Sequence, residues 1–257
     1  MSVEQLNHYI PILSTVLEIA VCLAAAHRRL WTRLPYFFIY LTLVVFLDLG
    51  RWVVLVNMGY SSAAYQWTYW MTQIVMLLSR GAALADICHA ALGYYTGVWR
   101  MARTLLAGAA AAMLIAAVVH TWGQVNIASY LIFVERELEF AVVITLFVLL
   151  LLSRYYDVQL ERPLGGAALG LAFYSTVIIV CNSILMQELG MTWPDVTLVR
   201  TLGFVGALAI WAPPLMAPLP EAAPPILGTE EGYERNARIV SDRMRALNER
   251  LEELMKR

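Results

Sequence analysis

The sequence predicts an all-α integral membrane protein: a bundle of seven transmembrane helices followed by a cytoplasmic C-terminal helix. Of its 257 residues, 60% are hydrophobic and only 14% are charged, whereas a soluble domain carries about a quarter of its residues as charged side chains. Seven segments also reach the length of about 20 apolar residues that a helix needs to cross a bilayer. The composition excludes an ordinary soluble enzyme. The balance of 18 basic against 19 acidic residues gives no charge footprint for nucleic acid.

The seven predicted spans follow one another with short loops between them. They lie at about residues 9–26, 35–57, 65–92, 104–121, 128–153, 164–187 and 195–217. Segments of this length do not suit a transmembrane β-barrel, whose strands have about ten residues. Residues 24–26 are three alanines that resemble a signal-peptide cleavage site, but Glu18 interrupts the apolar stretch and no basic residue precedes it. We therefore expect the first span to be retained.

The arginines of the loops predict the orientation. Three alternate loops carry at least two arginines each: 27–34, 95–103 and 154–163. The loops between them carry no Lys or Arg: 58–64, 122–127 and 188–194. Because basic loops stay in the cytoplasm, we expect the N-terminus outside and the C-terminus inside.

The chain changes character after the last span. Prolines in segment 213–228 remove backbone donors, so we expect an extended linker there and a transmembrane domain over 1–212. Residues 229–257 are predicted to form a helix whose apolar residues recur at alternating steps of four and three, as in a coiled coil. Its seam consists of Val240, Met244, Leu247, Leu251 and Leu254. We expect this seam to bind a second copy or a cytoplasmic helical partner, and a helix lying on the membrane is the alternative.

Charged residues inside the spans are the candidate functional residues. A charge in the bilayer is costly, so it usually faces the bundle interior and either pairs or marks a functional site. Eight such residues are expected to line a polar cavity open to the outside: Glu18, Asp48, Arg51, Arg80, Glu135, Arg136, Glu139 and Arg200. We expect Arg136 or Arg200 to contact an acid of this set. The alternative is that these residues form ion pairs that only lock the helices together.

No cofactor is predicted. Retinal is excluded because it needs a lysine in the last span, and the only lysine is Lys256. Haem is not expected, since the histidines lie mostly at span ends. Asp86 and His89 share a face of span 3 and could form half of a metal site, but a buried polar pair is the simpler interpretation. The chain has no hydrolase, nucleotide-binding or redox-cysteine motif, so we expect no enzyme.

Three segments carry a resemblance to a known family. Residues 28–41 lead into span 2 with basic residues, a proline and an aromatic cluster; residues 135–140 open span 5; and Arg200 opens a last span that reaches Trp211. Over about residues 10–212 the chain resembles the uncharacterised seven-transmembrane-helix proteins of Acidobacteria-type bacteria. The resemblance implies a bacterial inner membrane and no particular activity, and the tail helix departs from the family pattern.

Three functions remain, and the C-terminal tail favours one of them. It supplies an output element without a catalytic domain, so we expect a receptor-like or sensory protein. Such a protein would bind a polar ligand or ion in the outward-facing cavity and signal to a separate partner. A non-catalytic scaffold or accessory subunit of a membrane complex is the first alternative. A transporter is the second, although transporters usually show internal repeats and broken helices.

Overall fold

Six long helices make up the part of the chain that the computed structural model describes. That part comprises residues 3–59, 62–92, 127–155, 160–187 and 193–216, with isolated positions 103, 104, 107, 108, 111 and 115. The helices are α1 (Val3–His27), α2 (Pro35–Met58), α3 (Ala63–Leu92), α4 (Ile127–Tyr155), α5 (Arg162–Met186) and α6 (Trp193–Met216). A 3-10 turn, Leu30–Thr32, leads from α1 into α2. The chain divides into two units, Met1–Ala217 and Pro218–Arg257, and the second lies outside the described residues.

The predicted spans 1, 2, 3, 5, 6 and 7 are confirmed as helices, with ends that differ by a few residues. Pro35 and Pro163 lie in the first turns of α2 and α5, where a missing backbone N–H breaks no helical hydrogen bond. Gly59 ends α2 with a φ of 77°, which favours glycine. Span 4 and the tail helix fall outside the described residues, apart from the isolated positions within span 4.

Four of the described helices are long and apolar enough to cross a membrane: α2, α3, α5 and Asp195–Met216 of α6. The surface has the matching character. Large apolar side chains such as Leu23, Phe46 and Phe147 are exposed, whereas the charged side chains of Arg80 and Glu139 are fully buried. An apolar exterior around buried charges fits a helical protein surrounded by lipid.

The described helices close into a ring. Each packs on the next along the chain, α6 returns to α1, and α3 also touches α5 across the ring. Arg28 of the first connection reaches Met216 at the end of α6, and Arg33 reaches Glu161 at the start of α5. We call this the Arg28 end of the bundle. The opposite end, where α2 turns into α3, is the Gly59 end. α1, α2 and α3 alternate in direction, and so do α4, α5 and α6, whereas α3 and α4 run the same way, because Gln73 pairs with Glu135 and Arg80 with Glu139.

Glycines on α5 let α6 approach closely. A Cβ added at Gly170 would collide with the indole of Trp211, and one added at Gly166 would collide with the ring of Pro214. Trp211 is fully buried and packs edge-on against Phe37, with ring centres 5.5 Å apart. The small-residue stretch 165–170 thus serves helix packing, as its composition predicts.

The two prolines near the end of α6 do not stop the helix. α6 continues through Pro213 and Pro214 to Met216, close to the predicted end of span 7 at residue 217, so the prediction that an extended linker begins at residue 213 is wrong. Each proline lacks the N–H that would donate to the carbonyl four residues earlier, so the last turn loses two helical hydrogen bonds. Pro214 packs against Gly166. The Nη2 of Arg28 donates to the carbonyl of Met216 at 3.0 Å, which gives one terminal carbonyl a partner.

Candidate functional site

Glu135 on α4 is the point where four helices meet. Its buried carboxylate accepts hydrogen bonds from Gln73 of α3, from Asn182 of α5 at 3.1 Å, and from Arg200 of α6 at 2.7 Å. Each neighbouring element therefore supplies one donor to the same acid. We call this group, together with Asp48, Arg51, Tyr69 and Thr72, the Glu135 cluster.

Arg200 ties α6 to the same group. It donates to the side-chain oxygen of Asn182 as well as to Glu135, and its Nη1 lies 3.4 Å from the hydroxyl of Tyr69. Its Nε is buried and has no hydrogen-bond partner among the described residues. The Nε–H of Arg200 is therefore an unused hydrogen-bond donor inside the cluster.

Arg51 of α2 connects the cluster to the surface. Its Nε donates to Thr72 at 2.5 Å and its Nη2 to the side-chain oxygen of Gln73 at 3.0 Å, while Asp48 lies 3.4 Å from Nη1. Gln73 thus bridges Arg51 and Glu135 through its two amide ends. The side chains of Asp48, Arg51 and Glu135 are 33%, 15% and 5% exposed, so accessibility falls steadily from the bundle surface to the buried acid.

A second ion pair lies one turn further along α4. Arg80 of α3 and Glu139 pair in a fully buried position, with the guanidinium carbon 5.2 Å from the ring centre of Tyr174 and 6.0 Å from that of Tyr40. We call it the Arg80 pair. Arg80 Nε, Glu139 Oε2 and the Tyr40 hydroxyl have no hydrogen-bond partner among the described residues. Its surroundings are therefore aromatic rather than polar.

The structure divides the eight predicted cavity residues into separate groups. The expected contact between Arg200 and an acid is present, at Glu135. Arg136 stays outside the cluster: its Nη2 lies 2.6 Å from Glu137, the adjacent residue. Glu18 belongs to neither ion-paired group, and its Oε1 accepts a hydrogen bond from Ser14 at 2.8 Å.

Asp86 acts as a helix cap. Its Oδ2 accepts the backbone N–H groups of Tyr36 at 2.9 Å and Phe37 at 3.2 Å, at the start of α2 where Leu34 makes no side-chain cap. His89 lies beside it in a shallow recess at the Arg28 end. Among the described residues, no group of three or more His, Cys, Asp or Glu side chains could hold a metal ion.

Sequence reasoning missed the neutral members of the cluster. Gln73, Asn182, Tyr69 and Thr72 carry no charge, so a search for intramembrane charges passes over them. Two signals could have found them. Gln73 lies seven residues, or about two turns, before Arg80 on the same face of α3, and Asn182 is an amide inside an uncharged span, five residues before its end.

Neither a protein-family model, nor a curated protein, nor a solved structure matches this chain. The function is therefore argued from the site itself. The Glu135 cluster offers guanidinium, amide, phenol and carboxylate groups, which suit charge recognition and hydrogen bonding. These are the groups that orient a small polar ligand in a binding site.

Proposed function

We propose that this chain is a receptor-like membrane protein that binds a small polar ligand or ion at the Glu135 cluster. The single observation that carries the proposal is the position of Glu135, whose carboxylate holds α3, α5 and α6 against α4. A ligand that competes for this carboxylate changes the packing of several helices at once. Such differential contact is what a ligand needs in order to shift a conformational equilibrium.

Two further features of the cluster support binding. Exposure decreases from Asp48 through Arg51 to Glu135, which marks an approach from the surface of the bundle. Arg200 Nε is a buried donor without a partner among the described residues, so a ligand with an acceptor atom can engage it without displacing an existing hydrogen bond.

The ligand claim is tested with purified protein. Small molecules that co-purify are identified by mass spectrometry, and each is added to ligand-free protein while the unfolding temperature is followed. We expect a concentration-dependent rise for the wild type and none for Glu135→Gln. The matched control is Glu137→Gln on the same helix, which removes an acid outside the cluster and should keep the rise. An equal rise in Glu135→Gln would contradict binding at this site.

The proposal includes seven spans with the N-terminus outside and the C-terminus in the cytoplasm of a bacterial inner membrane. Four arginines in the described connections lie at the Arg28 end: Arg28, Arg29, Arg33 and Arg162. Basic loops favour the cytoplasm. A reporter that works only in the cytoplasm should be active when fused after Arg33, Arg103 or Lys256 and silent after Gly59 or Gly123. Activity after Gly59 would overturn the orientation.

The signal is proposed to leave through residues 229–257, whose seam binds a second copy or a separate helical partner. An isolated helix of this length is marginal in water, but anchoring in one membrane raises the effective concentration of the tails. The variant Leu247→Asp with Leu251→Asp places two charges in the seam. Mass photometry should show a larger particle for the wild type than for the variant, and equal masses would rule out self-association through the seam.

A scaffold or accessory subunit is the second candidate, and the Arg80 pair favours it. The side chains of Arg80 and Glu139 are 1% and 0% exposed, so a ligand has no approach to this pair of α3 and α4, as expected of a purely structural lock. A scaffold would co-purify with another membrane protein, and its unfolding temperature would respond to none of the small molecules tested.

A further inference from the structure

Among the acids inside the described helices, one buried acid has neither a cation nor backbone donors as partners. Four ion pairs account for most of them: Asp48 with Arg51, Glu139 with Arg80, Glu137 with Arg136, and Glu135 with Arg200. Asp86 is served by two backbone N–H groups. Glu18, which is 4% exposed, has neither a cation nor a main-chain donor among the described residues, and its Oε2 has no hydrogen-bond partner there.

The register of α1 and α2 places Glu18 and Asp48 at similar depth in the bundle. Cys22 Sγ lies 3.6 Å from Thr42 Oγ1, which fixes how the two antiparallel helices align. Glu18 is one turn before Cys22 on α1, and Asp48 is about one and a half turns beyond Thr42 on α2. The two acids therefore lie at similar depth, and their carboxyl groups interact electrostatically.

Other charged groups around Glu18 are few. From α2, Arg51 faces it through Asp48, and Tyr40 interacts with it electrostatically. The charged residues of α6, Asp195 and Arg200, lie towards the Gly59 end, and the turn Leu30–Thr32 carries no charge. On α2, Arg51 is therefore the arginine nearest to the two acids, and it pairs with Asp48 at 3.4 Å.

We propose that Glu18 and Asp48 form a proton-binding site between α1 and α2, in which the two carboxyl groups share one proton and Arg51 is the counter-charge. Two carboxylates that share a site of low polarity do not both stay ionised. Ser14 donates to Oε1 of Glu18, so the bare Oε2 carries the proton, while Asp48 stays ionised next to Arg51. With one proton, the two carboxyl groups carry a single negative charge, which Arg51 neutralises.

The proton site shares Asp48 and Arg51 with the Glu135 cluster, and it goes beyond the proposed ligand site by adding Glu18 and its proton. The same guanidinium that neutralises Asp48 donates to Gln73, which in turn donates to Glu135. Losing the proton leaves a second negative charge beside Asp48 and draws Arg51 towards it. Proton binding at α1 and α2 therefore changes how firmly Arg51 supports the Glu135 cluster.

Infrared spectroscopy of the purified full chain tests the proposal at neutral pH, in H2O and in D2O. A protonated carboxyl group has a C=O stretch separate from the carboxylate bands, and it shifts in D2O. We expect this band in the wild type and its loss in both Glu18→Gln and Asp48→Asn, because either change leaves a single acid with Arg51 as its counter-charge. We expect the band to grow in Arg51→Gln, which leaves another acid without a counter-charge. The control Glu137→Gln should keep the wild-type band.

Several outcomes would overturn the proposal. A wild type without the band has no such proton, and a band that survives Glu18→Gln belongs to a different acid. If the wild type lacks the band, and sodium chloride raises its unfolding temperature more than choline chloride while Glu18→Gln shows no difference, the site holds a sodium ion instead. Circular dichroism checks the fold of every variant. If Glu18→Gln does not fold, Asp48→Asn and Arg51→Gln test the proposal instead, because the band should be lost in the first variant and should grow in the second.

Discussion

Glu135 and Glu139 lie one turn apart on α4, yet they hold the bundle together in different ways. Glu135 is bound by donors from three helices, and each of the three donor residues has a further partner within the cluster. Glu139 has one cation, and aromatic rings surround the pair. A network with several partners can redistribute its hydrogen bonds, whereas a lone buried pair is either made or broken. We therefore expect the hydrogen bonds of the Glu135 cluster to rearrange and the Arg80 pair to stay rigid.

The largest effect is expected from breaking the Arg80 pair. Glu139→Ala leaves the Arg80 charge buried, which should lower the free energy of unfolding by about 3–5 kcal/mol, measured by denaturant titration in detergent. Replacing both residues by leucine should recover most of that loss, because no charge is then stranded. A single variant as stable as the wild type would show that water reaches the pair, and the contrast with the Glu135 cluster would disappear.

Glu135→Gln should cost less. The amide loses the ion pair with Arg200 but keeps an oxygen that can still accept from Gln73 or Asn182, so we expect a loss of about 1.5–3 kcal/mol. Arg200→Gln should cost a similar amount, and combining the two changes should add little, since both remove the same interaction. A loss greater than that of Glu139→Ala would reverse the comparison.

Gln73→Leu removes the amide that bridges Arg51 and Glu135 inside the Glu135 cluster. The free energy of unfolding should fall by about 1 kcal/mol, because two hydrogen bonds are lost and their partners keep other contacts. A double-mutant cycle between Arg51 and Glu135 should show a coupling energy in the wild type that vanishes in the Gln73→Leu background. Coupling that persists there would mean that the two residues communicate through Tyr69.

The smallest effect is expected at the Arg28 end. Arg33 and Glu161 form an ion pair of 2.7 Å, but their side chains are 30% and 51% exposed. Arg33→Gln should therefore change the free energy of unfolding by about 0–1 kcal/mol, and added salt should shrink the difference further. A larger, salt-independent loss would show that this connection takes part in packing.

Sequence predicts the helices of this protein better than it predicts their partners. Apolar length, arginines in the connections and Pro35 and Pro163 at helix starts are local features, so six helices could be located from them. The contact of Arg200 with an acid was predictable because both charges are forced to similar depth. The pairing of Arg80 with Glu139 was not, since it depends on which faces of α3 and α4 meet.

Two details escaped prediction because they depend on neighbours far along the chain. Proline propensity alone ends α6 at residue 212, but Gly166 on another helix provides the space in which Pro214 can pack. Asp86 suggested half of a metal site, while its partners are the N–H groups at the start of α2, fifty residues earlier. Propensity describes a segment by itself, and tertiary contacts overrode it at both places.

The chain is synthesised from its N-terminus, so the arginine partners of Glu135 and Glu139 become available at different times. Arg80 is synthesised 59 residues before Glu139, so the counter-ion of Glu139 is already present when Glu139 leaves the ribosome. Arg200 comes 65 residues after Glu135, which at about 5–20 residues per second is a delay of roughly 3–13 s. During that time Gln73, made 62 residues before Glu135, is the donor already available to it. A nascent chain that stalls before Arg200 therefore carries an unneutralised carboxylate, which membrane quality control could recognise as a mark of unfinished assembly.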